Sequence, residues 1–481
     1  MANYNAPGVY IEDETQGSQI INQLSSSVGV LIGQTKSGKV NVLQKVTSWT
    51  DFIGKYANGL GTPFSASLYL PFAVYGFFQN GGTTLYVANV RKSAVKATGT
   101  GSSLNVTFEA ATEGTWGNNL RVIITKSPRY TETKKYFDIT VKITTGKTAY
   151  TVNNVTFATF RDSLLNNPRI SALIGNITIG ENVAALAEDT ISFTGGTEGS
   201  TLTDSDYTSA LSLLDAVEDA TFVAIPGQTS SSVNNALMTY CEAKGLFPIL
   251  DMPIGSSVDE TYEYRNGIDS FTGVLAYPWG KISNPFSKNQ LITVPTAGHL
   301  MGVYSRIAES RGAFKVPAGV DAIVNGFVDM ETNLTNAQIE TLNPEGVVCI
   351  VSKPNAGIVV WGARSINSSD DSMKYVSDGL LNLYIKKSIY AGTQFAIFEP
   401  NDETLWIKLD AACRSFLEDL RSQGALKGAT SEEAYFVTID ETNNTPESIE
   451  SGELNIEIGY APVKPAEFII IKLAHSINNG V

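Results

Sequence analysis

Ala220 to Pro253 reads ATFVAIPGQTSSSVNNALMTYCEAKGLFPILDMP. Two apolar runs, ATFVAIPG (Ala220–Gly227) and LFPILDMP (Leu246–Pro253), flank a helical stretch at Val233–Lys244. Neither run alternates, as expected of strands covered on both faces. Strand, helix and strand joined by short loops predict parallel pairing in an α/β layer. A further helical stretch, Tyr207–Val217, leads into the first run.

Working outward, SVGVLIG (Ser27–Gly33) and TTLYVANV (Thr83–Val90) read as strands, and FSASLYLPFAVYGFFQ (Phe64–Gln79) as a helix stopped by Gly81-Gly82. Residues 95–200 change character: Thr, Asn, Val and Ile dominate, and YFDITVKIT alternates between turn signals. This block reads as an inserted β-sandwich or small barrel, leaving through Gly195-Gly196. Downstream, VVCIVSKP and GIVVWGARSI read as strands. A helix begins near Asn401, where Leu405, Leu409, Ala412, Phe416 and Leu420 form one apolar stripe. Asn401 or Asp402 caps it and Gly424 ends it. Its other face, with Lys408, Asp410, Arg414, Glu418, Asp419 and Arg421, is either solvated surface or a docking strip.

The 481 residues set a prior of about three domains. With 43% hydrophobic and 17% charged residues, the composition is that of a globular chain and excludes disorder, collagen and coiled coil. The net charge of −14 repels phosphate backbones and argues against nucleic-acid binding. From Glu399 to Val481 there are 15 acids against 6 bases, read as a solubilising surface or an electrostatic contact with a partner protein.

Motifs for catalysis fail on inspection. Gly33 to Lys39 (GQTKSGK) fits G-x4-G-K, but position 40 is Val where Ser or Thr is needed, and VNVLQKV continues as a strand. We read a turn between two strands. Only His299 and His475 offer imidazoles, and neither a G-x-S-x-G elbow nor an H-E-x-x-H helix occurs. Cys241, Cys349 and Cys413 are far apart and are expected as buried free thiols. We expect no catalytic, cofactor-binding or metal site. The opening MANYNAPGVYIEDE has neither a basic nor an apolar signal region, and no stretch reaches 18 consecutive apolar residues, so neither export nor direct membrane insertion is expected.

The two ends say more. AEFIIIKL (Ala466–Leu473) forms β strongly, either as the last strand of its own sheet or as an arm completing a neighbour's sheet. Unpaired, such a strand is an aggregation hazard. APGVYIEDE near the start is also extended and amphipathic, suited to the matching part.

Taken in order, these stretches resemble the tail sheath proteins of contractile bacteriophages and related contractile injection systems. The resemblance rests on APGVYIEDE, FFQNGG with LYVANVR (Phe77–Arg91), FVAIPG, FPILDMP and YPWGKISNP (Tyr277–Pro285). It continues through VPTAGHLMGVYSRIAESRGAFKVPAG (Val294–Gly319), LNPEGVVCIV, GIVVWGARSI, FEPNDETLW and APVKPAEFIIIKL. Physically, VWGAR (Val360–Arg364) suits a packed, hydrogen-bonded core, and Arg306, Glu309 and Arg311 suit ion pairs between domains or subunits.

The resemblance implies a multidomain α+β protein: an inner α/β sheet domain built from both chain ends, an inserted β-sandwich or barrel, and a central α/β domain of subtilisin-like topology. The expected limits are 1–94 for the N-terminal arm and part of the inner domain, 95–200 for the outer insert, 201–357 for the central domain, and 358–481 for the C-terminal inner domain. It further implies stacked hexameric rings in a helical polymer around a tail tube, with baseplate and tail terminator proteins as further partners. Contraction drives the tube through the bacterial envelope, delivering a genome in a phage, or acting without one in an injection system or tailocin. Assembly is expected in the host cytoplasm, on the virion tail. The arms that pair between subunits map onto Gly8, Val9, Tyr10, Ile11 and Glu12, and onto Phe468, Ile469, Ile470, Ile471, Lys472 and Leu473. Arg414, Glu418 and Arg421 map onto a tube-facing helix.

Overall fold

The computed structural model describes Ile21 and residues 27–57, 68–144, 149–181, 183–268, 272–287, 290–367 and 370–467. The chain forms two compact units, one of residues 25–383 and one of residues 1–24 with 384–481.

The first unit starts with β1 (Gly29–Gly33), β2 (Leu43–Val46), α1 (Trp49–Tyr56), α2 (Tyr69–Gln79) and β3 (Leu85–Asn89). An insert follows, with β4 (Thr98–Thr100), β5 (Val106–Ala110), β6 (Leu120–Lys126), β7 (Phe137–Ile143) and β8 (Ala149–Val155). It continues with α3 (Phe160–Leu165), α4 (Pro168–Ser171), β9 (Ile174–Ile179) and β10 (Asp189–Ser192). Then come α5 (Asp204–Ala210), β11 (Phe222–Ala224), α6 (Ser231–Lys244), β12 (Phe247–Asp251), α7 (Val258–Asn266) and β13 (Val274–Tyr277). After these lie β14 (Gly280–Ser283), β15 (Leu291–Val294), α8 (Ala297–Arg311), β16 (Phe327–Met330), α9 (Asn336–Leu342), β17 (Val347–Lys353) and β18 (Gly357–Val360).

Eight strands make one sheet, in the order β18-β17-β13-β12-β11-β1-β3-β2. The six inner strands run parallel, and β18 and β2 close the ends antiparallel. The two runs that open the sequence reading are β11 and β12, paired in parallel with Phe222 opposite Phe247. Alternate side chains serve two cores. Val30, Ile32 and Val223 join Val233, Leu237 and Cys241 of α6 and Leu342 of α9 on one face. On the other, Gly29 approaches Phe77 of α2 and Met301 of α8. Helices on both faces explain why the inner strands carry continuous apolar runs. The outer edge of β18 is covered by its own chain: Gly319 N–H donates to the Val360 carbonyl, Val360 N–H to Ala322 and Val324 N–H to Ile358.

This order corrects the expected domain limits. Within 1–94, β1 to β3 belong to the large sheet and not to a domain with the C-terminus; β1 lies between β11 and β3 with all five residues buried. Likewise β18, within 358–481, pairs with β17. The physical reason is the run VGVLIG, too apolar for a half-exposed strand but suited to the middle of a two-faced sheet.

The insert has two antiparallel sheets, β10-β6-β7-β8 and β4-β5-β9, around one core that includes Phe108, Trp116, Val122, Ile139, Phe160 and Phe193. Its ends are bridged to each other, Lys92 to Ser200 and Val95 to Thr197. Buried Arg91 holds this base, donating to the Thr35 carbonyl and to Glu198. Two backbone N–H groups of the Gly33–Lys39 turn are already engaged. Thr35 N–H is taken by Asn89 Oδ1 (2.9 Å) and Gly38 N–H by Thr112 Oγ1 (3.3 Å), and the chain runs on to β2.

Two further expectations need revision. Trp361 is 37% exposed, with the Lys353 ammonium 4.3 Å from its ring centroid, so it stacks at the surface and not in a core. Of the three charges in SRIAESR, Arg311 pairs with Asp321 (2.8 Å), while Arg306 donates to the carbonyls of Asn80 and Ile323 within its own unit.

The second unit holds Ile21 and the end of α10 (Val376–Gly392), α11 (Glu403–Ser422), α12 (Ser431–Ala434), β19 (Tyr435–Thr438), α13 (Pro446–Glu450) and β20 (Glu457–Tyr460). Ile21 is buried against Gly392, where a Cβ would lie 2.6 Å from its Cγ1. Among the described residues ahead of β1, Ile21 belongs to this unit.

Candidate functional site

Among the described residues, the groups that sequence reading singled out for chemistry are sealed. His299 sits fully buried on α8, its ring 4.3 Å from that of Phe327, with no hydrogen-bond partner on either nitrogen. Desolvation holds it neutral, its pKa lowered to about 3. His475 lies outside the described residues. All three cysteines are buried and free, and burial pushes Cys349 up to about 12 and Cys413 up to about 11. A thiol protonated at neutral pH is a poor nucleophile and a poor metal ligand. No group of three or more His, Cys, Asp or Glu is placed to hold a metal ion among the described residues.

Sequence reading passed over Asp251. It ends β12 and is fully buried at the start of α8, where Ala297 N–H donates to Oδ1 (2.8 Å) and Gly227 N–H to Oδ2 (3.1 Å). Desolvation outweighs these bonds and raises its pKa to about 6. The signal was present in LFPILDMP, an acid at the end of an otherwise apolar run. Its role is to hold the N-terminus of α8, which packs α2 against the sheet.

The second unit is built around α11. Every residue of the predicted stripe on α11 is buried, joined by Trp406, Cys413 and Leu417, and Phe416 meets Tyr384 of α10 at 6.0 Å. The cap is Asp402, whose Oδ1 accepts from Leu405 N–H (2.9 Å), while Asn401 accepts from Trp406 Nε1 (2.7 Å) and donates to Glu453. Past Ser422 the helix ends at Gly424, whose φ of +82° suits glycine. The three charges assigned to the tube side are engaged within their own unit. Arg414 pairs with Asp410 (2.8 Å) and donates to the Val437 carbonyl on β19 (2.6 Å). Arg421 pairs with Glu418, and Tyr435 donates to Glu418 (3.2 Å).

β19 and β20 pair antiparallel as a two-stranded sheet, Tyr435 opposite Tyr460 and Val437 opposite Ile458. Ala461 N–H donates to the Ala434 carbonyl. The alternation of an antiparallel ladder therefore turns the backbone groups of Val437 and Ile458 outward, away from the partner strand. Arg414 covers that edge on β19. On β20 the outward edge passes through Ile458. The arm positions Gly8–Glu12 and Phe468–Leu473 lie outside the described residues.

Comparison with known proteins agrees with this architecture. Residues 200–366 match the family model of the phage tail sheath protein central domain, and residues 368–474 match the phage tail sheath C-terminal domain. The tail sheath protein of Escherichia phage P2 is 23% identical over 292 residues, 57% of this chain and 69% of that protein. The fold is similar to the sheath of the extracellular contractile injection system PVC in its contracted state, with a TM-score of 0.63 and 20% identity over 99% of each chain. It is also similar to the sheath tail protein of Listeria innocua, with a TM-score of 0.65 and 13% identity over 91% of this chain and 95% of that one. With both sheath domains matched in succession over more than half its length, the chain belongs to the tail sheath family of contractile phage tails and related injection systems.

Proposed function

We propose that this chain polymerises as stacked hexameric rings in a helical array around a tail tube, bounded by baseplate and tail terminator proteins. Contraction of the array drives the tube through a bacterial envelope. In a phage the tube delivers a genome; the same chain also suits an injection system or tailocin, and the neighbouring genes decide between them. The part is mechanical, without catalysis, cofactor, nucleic acid or membrane insertion, and the subunit assembles in the host cytoplasm onto the tail. The subtilisin-like label for the large sheet, the sandwich or barrel label for the insert, and the placing of the insert outward with α11 toward the tube belong to the same reading.

The observation that carries it is the β19–β20 pair. A two-stranded sheet is marginal alone and gains from added strands. Arg414 occupies the β19 edge at Val437, so an arm from a neighbouring subunit, Phe468–Leu473 or Gly8–Glu12, extends the sheet on the β20 side at Ile458. Each backbone bond contributes about 1 kcal/mol net, and apolar side chains add more. Such head-to-tail links generate a helical array. Each subunit then need release only a few kcal/mol on rearranging as a rigid body, because many act together.

The test is deletion of Glu467–Val481, beside Ile458→Pro in the full chain, which removes an outward N–H while sparing the β19–β20 bonds. Both proteins are expected to stay soluble and monomeric, with no tubes in electron micrographs. Tubes of normal length from both would sink the strand-pairing reading.

A further inference from the structure

Five Asn-Gly pairs occur in the sequence, at Asn58, Asn80, Asn266, Asn325 and Asn479. Asn58 and Asn479 lie outside the described residues. An asparagine followed by glycine can react with its own backbone, because no Cβ hinders the approach of the glycine nitrogen to the side-chain carbonyl. The fold treats the other three pairs differently. Asn80 is fully buried, and its Nδ2 donates to the carbonyls of Gly76 (2.9 Å) and Asn325 (3.0 Å). Its Oδ1 accepts from Asn325 N–H (2.7 Å), and Gly81 N–H donates to the Phe78 carbonyl (3.2 Å). Asn266 is exposed but ends α7, and Gly267 N–H donates to the Tyr264 carbonyl (3.1 Å). Asn325 is exposed in a turn, and Gly326 holds φ at +94°. Among the described residues, neither the Asn325 side chain nor Gly326 N–H has a hydrogen-bond partner.

We propose that Asn325 is a self-modifying site, converting through a cyclic imide to aspartate and isoaspartate with water as the only co-reactant. The Gly326 nitrogen loses its proton and attacks Asn325 Cγ. The N–Cγ bond forms, the Cγ–Nδ2 bond breaks, and ammonia leaves with the proton. Water then opens the imide on either side. Opened at Cγ, the chain is restored with an aspartate; opened at the backbone carbonyl, it carries an isoaspartate and is one carbon longer. Nothing is oxidised or reduced. The position makes the longer chain costly. Asn80 grips Asn325 at both its N–H and its carbonyl. Just beyond Gly326, Phe327 opens β16 opposite Ile282 and packs with Phe72 and Val294. An extra carbon between these two fixed points pushes the Phe327 ring and the register of β16 out of place.

The experiment ages the full-length chain in mildly alkaline buffer beside Asn325→Gln and follows their peptides by mass spectrometry. The wild-type Asn325 peptide is expected to gain one mass unit and to split into aspartate and isoaspartate forms. It should do so at least about tenfold faster than the peptides of Asn80 and Asn266. Asn325→Gln lengthens the side chain, so the five-membered ring cannot form, and it keeps every other Asn-Gly pair. Before ageing its unfolding temperature is expected to match that of the wild type, since the replaced side chain is exposed and unpaired. After ageing, the unfolding temperature of the wild type is expected to fall further than that of the variant. An unchanged Asn325 peptide overturns the site, as does equal or faster conversion at Asn80 or Asn266. Conversion at Asn325 with equal unfolding temperatures in the aged pair overturns the strain on β16.

Discussion

Gly298→Ala is expected to destabilise the first unit by about 3 kcal/mol or more, whereas Gly54→Ala stabilises it by about 0.5–1 kcal/mol. Both glycines lie in helices, so propensity alone favours alanine at each. Packing reverses the sign at one of them. A Cβ on Gly298 would lie 2.4 Å from Ala73 Cα and 2.5 Å from the Ala73 carbonyl oxygen, backbone atoms that move only if α2 and α8 separate. At Gly54 nothing lies within 4 Å. Gly302, one turn along α8, meets the Phe77 carbonyl oxygen at 2.5 Å. Once α2 and α8 have parted for one alanine, the second finds room, so the Gly298→Ala/Gly302→Ala double variant should cost less than the sum of the singles. Denaturant midpoints measure the four variants beside the wild type. A Gly298→Ala midpoint at or above that of the wild type would mean that the two helices do not cross at this distance.

The dependence of stability on pH is the second large effect, and in the intact protein it is masked. His299, lowered from 6.5 to about 3, stays neutral in the fold while the unfolded chain takes up a proton. Its contribution is complete above pH 6.5 and is lost as pH falls toward 3, in total about 5 kcal/mol. Asp251, raised from 3.8 to about 6, acts in the opposite sense: its contribution is present below pH 3.8 and is lost as pH rises through about 6, in total about 3 kcal/mol. Between pH 3.8 and about 6 the two slopes oppose each other. Substituting one residue exposes the other. Asp251→Asn should lose stability by about 1.4 kcal/mol per pH unit on acidification, and His299→Leu should instead lose stability as pH rises across the same window. His299→Leu should also be more stable than the wild type near neutral pH, because it removes two buried nitrogens that have no partner. Parallel pH profiles for the wild type and both variants would show that neither group titrates as its burial requires.

Much of this architecture was legible in the residues. The paired apolar runs announced the parallel layer because a strand covered on both faces has no polar side to show. The stripe from Leu405 to Leu420 announced α11 because its spacing is that of one helical face. Sequence did not say which strands join across long separations. β1 pairs with β11 past an insert of about a hundred residues, and local pattern carries no trace of that pairing. Charge partners were hidden for the same reason. Arg414 and Arg421 read as a free outer face, yet they are held by Asp410, Glu418 and the hairpin beyond the helix. Phe398 opens FEPNDETLW, and the spacing of that stretch reveals neither its left-handed backbone nor its exposure.

The bridged base of the insert has a practical consequence. The chain departs at Lys92 and returns at Ser200 side by side, so both crossings into the insert share one base, with Thr112 touching the Gly33–Lys39 turn beside it. A short peptide or a foreign domain with adjacent termini can be spliced across that base while the eight-stranded order stays intact, turning each subunit into a regularly spaced mounting point for engineered cargo.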